Sequence, residues 1–151
     1  MTAFQTESVV LEPQPTAVVR GHVEQPDLPG FLGAAFGETI QAITAQQHAP
    51  AGPPFARYRM RGTGFDVEAG FPSTGPVTPA GRVEPGELPG GTAAEVLYRG
   101  DYAGVGAAYE AAEKWLAENQ YAPSGDPWEA YLDEPGVAEP RTLVHLPYRA
   151  G

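Results

Sequence analysis

The first half of the chain has four runs of apolar positions with the spacing of β-strands. Short β-branched runs at residues 9–11 and 17–23 predict two strands, and both are assigned to the first of two repeats. Residues 55–61 form a third run, and residues 65–71 alternate apolar and polar side chains, which is typical of a strand with one buried face. Because Gly-Thr-Gly at 62–64 lies between the last two runs, they are predicted to form a hairpin.

Apolar residues at steps of three and four predict two amphipathic helices. The first helix is predicted from about Pro29 to Gln47, and the Pro-rich and Gly-rich residues 50–54 prevent its continuation. The second helix is predicted from about Tyr102 to Asn119. The apolar stripes that define the helices are Leu32, Phe36, Ile40 and Ile43 in the first, and Val105, Tyr109, Ala112 and Leu116 in the second.

Two segments of the chain align without a gap, at a spacing of 73 residues counted from His48 to Tyr121. Residues 48–59 match residues 121–132 in this alignment, with identical residue types at Ala49, Pro50, Gly52, Pro54 and Tyr58. The alignment also places Phe55 opposite Trp128, and the same spacing relates three apolar residues of one helix to three of the other. The chain is therefore predicted to contain two copies of one unit.

Each copy is predicted to be a β-α-β-β unit, with second-copy strands at residues 93–99, 128–133 and 142–147. The predicted fold is α+β: tandem pseudo-symmetric repeats forming a mainly antiparallel sheet with two helices. At 151 residues one compact domain is favoured over two. The domain is expected to span residues 1–151, with repeat 1 at about 6–72, a partly ordered connector at 73–92 and repeat 2 at about 93–149.

Charge and composition narrow the classes of partner. The chain has 19 acidic and 9 basic residues, a formal net charge of −10, so we expect no direct binding to nucleic acid and none to anionic membranes. A cationic or neutral partner fits better. The absence of cysteine removes disulfides and thiolate chemistry. Residues 1–10 lack the pattern of a signal peptide, which favours a cytoplasmic location.

One carboxylate breaks the repeat. Side chains alternate across a strand, so Trp128, Ala130 and Leu132 should share one face, and this apolar face is expected to pack on the helix. Glu129 and Tyr131 are then expected on the face away from the helix. Their first-copy counterparts are Ala56 and Tyr58, so the tyrosine is kept while the acid appears in one copy alone.

An aromatic groove with a single acid suits an organic cation. Ring faces attract positive charge, and Glu129 would supply the ion-pair partner. Burial should raise the pKa of that carboxyl, and a bound cation should lower it again. Glu68 is a second candidate acid, although a solvated role is the simpler interpretation for a glutamate on a strand.

Other chemistry has little support in the sequence. His22, His48 and His145 lack the spacing of metal ligands, so no metal is predicted. The chain has neither a Gly-rich phosphate loop nor a serine nucleophile motif, and no cofactor is predicted. A Glu and Tyr pair in a dry cleft would still be able to act as general base and proton donor.

Four segments together resemble the GyrI-like small-molecule-binding family. This family includes the effector-binding domains of AraC-type and multidrug-responsive transcription regulators, and the likeness covers nearly the whole chain. The segments are residues 65–72, 88–91, 98–102 and 128–132. The resemblance implies tandem repeats of the SHS2 type with a ligand cleft between the halves. Because the domain fills the chain, no DNA-binding helix-turn-helix is expected.

The resemblance also implies roles for individual residues. Glu129, in the Glu-x-Tyr motif, is expected to receive the positive end of a lipophilic cation, and aromatic residues such as Tyr131 to stack around it. Tyr58, Glu68 and Tyr102 complete the set of candidate ligand-binding residues.

The preferred function is a stand-alone module that binds lipophilic, cationic small molecules as a sensor or a sequestering resistance factor. Some family members hydrolyse cyclopropane-bearing toxins, and the alternative is such a hydrolase, with Glu129 and Tyr131 as catalytic residues. A further alternative is a protein inhibitor of a topoisomerase. A protein partner or a homodimer is compatible with each of these.

Overall fold

The computed structural model describes residues 4–101, 104–133 and 137–151, and the start predicted for the second helix, Tyr102, lies outside them. The described residues contain two α-helices and nine β-strands. In chain order these are β1 (Thr6–Leu11), β2 (Gln14–Val23), α1 (Leu28–Ala45), β3 (Phe55–Arg61), β4 (Gly64–Pro72), β5 (Glu84–Leu88), β6 (Gly91–Arg99), α2 (Gly106–Glu118), β7 (Tyr121–Pro123), β8 (Trp128–Tyr131) and β9 (Arg141–Ala150).

The chain divides into two compact units, residues 13–89 and residues 1–12 with 90–151. Within each unit the strands pair in antiparallel fashion, so the predicted α+β class is confirmed.

In the unit of residues 13–89, the strand order is β3-β4-β2-β5. The predicted hairpin between β3 and β4 is present, and Gly62 in its turn has a positive φ of 64°. Gly70 lies where β4 approaches β2 so closely that an added Cβ would be 1.9 Å from the carbonyl oxygen of Ala17. A glycine is therefore required at this position.

Helix α1 packs against β2 and β4. Its buried residues are Ala35, Thr39, Ala42 and Ile43, whereas Leu32, Phe36 and Ile40 of the predicted stripe are only partly buried. Of the predicted stripe, Ile43 is thus buried, and the other buried positions of the helix hold smaller residues that the stripe did not include. The ring of Phe36 meets the ring of Phe71 edge to face, with centroids 6.0 Å apart.

In the second unit the strand order is β1-β6-β9-β8, and β7 pairs with the end of β9. The buried residues of α2, Ala108, Ala112 and Leu116, lie 73 positions after Ala35, Thr39 and Ile43 of α1. They pack against a core formed by β6 and β9, which includes Val96, Tyr98, Val144, Leu146 and Tyr148. The repeat inferred from turns and apolar residues therefore extends to the buried face of both helices.

Three features differ from the sequence predictions. Strand β1, assigned to the first repeat, pairs along its length with β6 and so belongs to the unit of the second repeat. Strands β5 and β7 were not predicted, because β5 contains Pro85 and Gly86 and β7 is only three residues long. In the predicted connector, Val77, Val83 and Leu88 are buried. Neither helix of the described chain is long and apolar enough to span a membrane.

Candidate functional site

Glu129 lies on the side of β8 that faces α2. Its direct partner across the antiparallel pair is Val144, a member of the core under α2, and directly opposite residues share a face of the sheet. The prediction that Glu129 and Tyr131 face away from the helix is therefore wrong. Both faces of β8 are buried, so the apolar character of Trp128 and Ala130 did not determine which side meets the helix.

Two phenol groups hold the Glu129 carboxylate. The Tyr109 hydroxyl, from α2, donates a hydrogen bond to Oε2 at 2.5 Å, and the Tyr131 hydroxyl donates one to Oε1 at 3.1 Å. Each carboxylate oxygen therefore has its own donor, and the donors come from a helix and from the strand that carries the acid. The arrangement fixes the carboxylate plane beside two aromatic rings.

The Glu129 side chain is poorly solvated, with a relative exposure of 7%. Burial raises the pKa of the Glu129 carboxyl above its ordinary value, and the hydrogen bonds from Tyr109 and Tyr131 offset part of that rise. Within the described residues, no arginine, lysine or histidine forms an ion pair with it. In the described part of the chain, this buried acid is thus held by two neutral donors and by no ion pair.

A second polar group lies on the opposite face of the same strands. The rings of Trp128 and His145 stack at 5.2 Å, and His145 Nε2 lies 2.9 Å from an Oε2 atom of Glu95. Burial lowers the pKa of His145, and the carboxylate of Glu95 opposes that effect. The contacts of Trp128, His145 and Glu95 therefore support β8 on the face opposite to Glu129.

An ion pair fixes the end of β8. Both oxygens of Asp133 accept hydrogen bonds from the Arg141 guanidinium, and Oδ2 also accepts one from the Arg141 backbone N–H. The backbone N–H of Leu132 donates to the Arg141 carbonyl oxygen. These contacts hold the residues that follow Tyr131 against β9.

The remaining predicted site residues belong to other parts of the chain. Tyr58 lies on β3, in the unit of residues 13–89, where its ring meets Phe65 edge to face at 5.9 Å. Glu68, on β4 of that unit, accepts a hydrogen bond from Arg20 at 2.9 Å and forms an ion pair with it. Tyr102 lies outside the described residues. Within the unit that holds β8, the structure joins Glu129 with Tyr131.

Tyr109 is a site residue that the sequence prediction did not include. It was interpreted as part of the apolar stripe of α2, and its counterpart one repeat earlier is Phe36. The sequence did hold a signal for Tyr109: the repeats differ there by a hydroxyl group, as they differ by a carboxylate between Ala56 and Glu129. In the described part of the chain, no group of three or more His, Asp or Glu side chains is placed to hold a metal ion.

The comparisons with known proteins define the class. The model of the GyrI-like small molecule binding domain matches residues 5–149, and the chain belongs to this family. The family predicted from the sequence motifs is thus confirmed. No curated protein matches the sequence.

Solved structures share the fold at low sequence identity. The C-terminal domain of EcmrR is 19% identical with a TM-score of 0.79, over 99% of this chain and 100% of that one. EcmrR bound to DNA gives 18% identity and a TM-score of 0.80; the alignment covers 98% of this chain but only 58% of EcmrR. A hydrolase from Listeria innocua is 10% identical with a TM-score of 0.72, over 96% of this chain and 92% of that one.

Proposed function

We propose that this domain binds lipophilic organic cations, with Glu129 as the partner of the positive charge, and that it acts as a sensor or a sequestering protein for them. The observation that carries the proposal is the buried Glu129 carboxylate, which has two phenol donors and no cationic side chain paired with it in the described residues. Membership of a small-molecule-binding family supports it.

A cation is the ligand that this environment favours most. Burying an ionised carboxylate costs free energy unless a positive charge or several donors compensate it. Here burial raises the pKa of Glu129, which means that the two phenol groups compensate only in part. A bound cation would complete the compensation and lower that pKa again.

The two tyrosines match this ligand class in two ways. Their hydroxyl groups orient the carboxylate, and the faces of their rings attract positive charge. A bulky ammonium with apolar substituents would use both properties, whereas a small hydrated ion would gain little from the rings. Tyr58, Glu68 and Tyr102 remain predicted ligand contacts from the sequence.

Titration calorimetry with para-benzoylbenzyl trimethylammonium tests the proposal. This probe carries a permanent charge, so its own protonation does not vary with pH. Glu129→Gln keeps the side-chain shape and removes the charge, and we expect it to weaken binding by about 1.5–3 kcal/mol, the scale of a hydrogen bond or contact with a charged group.

Two control variants make the test specific. Glu110→Gln removes one negative charge from an exposed position next to Tyr109 on α2, and it should leave the affinity unchanged. Glu68→Gln examines the second predicted acid directly. If wild type and Glu129→Gln bind the probe with equal affinity, Glu129 is not the partner of the positive charge.

Hydrolysis is the second candidate function, and the hydrogen-bonded carboxylate is the observation that favours it. A glutamate with a raised pKa beside a phenol is suited to accept a proton from water while Tyr131 donates one to a leaving group. The likeness in fold to a Listeria innocua hydrolase is compatible with this role. Turnover of a cyclopropanoid compound that is lost in both Glu129→Gln and Tyr131→Phe would support it, and stoichiometric binding without product would exclude it for that compound.

A further inference from the structure

Thr142 carries a buried hydroxyl that has no hydrogen-bond partner among the described residues. The residue has a relative exposure of 0%, and its Oγ1 atom forms no hydrogen bond in the part of the chain that the structure describes. An unsatisfied buried hydroxyl lowers stability, and a valine of nearly the same shape would avoid the loss. Thr142 therefore needs an explanation other than packing.

The strand register places Thr142 beside the residues of the Glu129 site. Thr142 is directly opposite Tyr131 in the pairing of β8 with β9, so it shares the α2 side with Tyr131 and Glu129. Directly opposite side chains have Cβ atoms about 4.5–5.5 Å apart; diagonal neighbours such as Thr142 and Glu129 lie about 7–8 Å apart, and their Cβ atoms are somewhat closer. Thr142 is thus the diagonal cross-strand neighbour of Glu129 on the same face of the sheet.

Three polar residues at or beside the Glu129 site have apolar counterparts in the first unit. Tyr58 is opposite Val67 in the first unit, as Tyr131 is opposite Thr142 in the second, so Val67 is the counterpart of Thr142. Three neighbouring positions gain a polar group together in the second unit. These pairs of counterparts are Ala56 and Glu129, Phe36 and Tyr109, and Val67 and Thr142.

We propose that Thr142 Oγ1 donates a hydrogen bond to an oxygen acceptor of the bound ligand, which makes Thr142 a specificity-determining residue of the site. The proposal rests on the proposed function and narrows its ligand class. The ligand is a lipophilic cation with a carbonyl or similar acceptor one cross-strand diagonal, about 7–8 Å, from its positive centre. Neither the family nor the Glu129 contact alone specifies such an acceptor.

Two probes that differ in one group test this proposal. Para-benzoylbenzyl trimethylammonium has a ketone between its two rings, and para-benzylbenzyl trimethylammonium has a methylene there. We expect wild type to bind the ketone about three- to tenfold more tightly than the methylene probe, the range of a neutral hydrogen bond. Thr142→Val should bind both equally and should bind the methylene probe as wild type does.

Thr16 supplies a matched control. It is also a buried threonine whose Oγ1 forms no hydrogen bond with any described residue, but it lies on β2 in the other unit. Thr16→Val and Thr142→Val should both retain the fold and show equal or higher melting temperatures, because each removes an unsatisfied hydroxyl. Only Thr142→Val should abolish the preference for the ketone.

The outcomes separate this proposal from the function on which it rests. If both probes bind wild type and weaken in Glu129→Gln, but wild type shows no preference for the ketone or Thr142→Val retains it, the role of Thr142 is refuted alone. If neither probe binds, or if Glu129→Gln binds both as wild type does, the proposed function fails and the role of Thr142 fails with it.

Discussion

The hydrogen bond from Tyr109 to Glu129 should stabilise the fold to an extent that depends on pH. Tyr109→Phe removes the donor at 2.5 Å from Oε2 and leaves the ring in place, as in the counterpart Phe36. A hydrogen bond to a charged group contributes about 1.5–3 kcal/mol, and one between neutral groups about 0.5–1.5 kcal/mol. The variant should therefore lose about 1.5–3 kcal/mol at neutral pH and less in acid.

The sign of the pH dependence follows from the pKa of Glu129. Burial raises its folded-state pKa, so the stability that this group contributes is complete below its unfolded-state pKa and is lost as the pH rises through the folded-state value. The Tyr109 bond favours the ionised form, and its removal raises that pKa further. The variant should thus fall further below wild type as the pH rises from about 4 to about 7.

Urea denaturation at several pH values measures this difference. Tyr121→Phe is the matched control, because Tyr121 lies in the same unit and its hydroxyl forms no hydrogen bond within the described residues; it should show a small loss that does not change with pH. The reasoning is refuted if Tyr109→Phe loses the same free energy of unfolding at acid and neutral pH, or no more than Tyr121→Phe.

Further predictions concern the glycines and His145. Gly70→Ala should lower the free energy of unfolding, measured in urea, by about 3 kcal/mol or more, because the new Cβ would collide with the Ala17 carbonyl oxygen. Gly33→Ala on α1 has open space around the new Cβ and should raise that free energy by about 0.5–1 kcal/mol. Equal effects of the two substitutions would contradict the packing described for Gly70. Burial lowers the pKa of His145, so the stability gained from the neutral ring is complete above its ordinary value of 6.5 and lost as the pH falls. His145→Gln, which retains a donor for Glu95, should lose less stability than wild type between about pH 6.5 and pH 5; identical curves would contradict that assignment.

The repeat allowed much of the fold to be predicted. Turn residues and the spacing of apolar residues recur along the chain, and they indicate the local structure of each β-α-β-β unit. The pairing of β1 with β6 is a contact between segments distant in sequence, and no local pattern encodes it. Strand β5 contains Pro85 and Gly86, which weaken the pattern of a strand, so only its long-range pairing with β2 defines it.

The sequence singled out Glu129 together with Tyr131, but not the side of the strand on which they lie or the contact with Tyr109. Glu129 was identified because Ala56 replaces it in the other repeat, which requires only the alignment. Its direction depends on which face of β8 packs on α2, and a strand buried on both faces gives no periodic signal for this. Tyr109 was assigned to the apolar stripe of α2 because of its ring, and this assignment ignored its hydroxyl. The hydrogen bond to Glu129 joins a helix to a strand, so it depends on tertiary packing that the sequence pattern does not report.

A thermodynamic cycle tests the central claim most directly. Wild type and Glu129→Gln are each titrated with para-benzoylbenzyl trimethylammonium and with its neutral isostere, in which carbon replaces nitrogen. If Glu129 is the partner of the positive charge, the variant loses affinity for the cation but not for the neutral compound, with a coupling energy of about 1.5–3 kcal/mol. A coupling energy near zero, with both compounds equally affected or unaffected, would contradict the account.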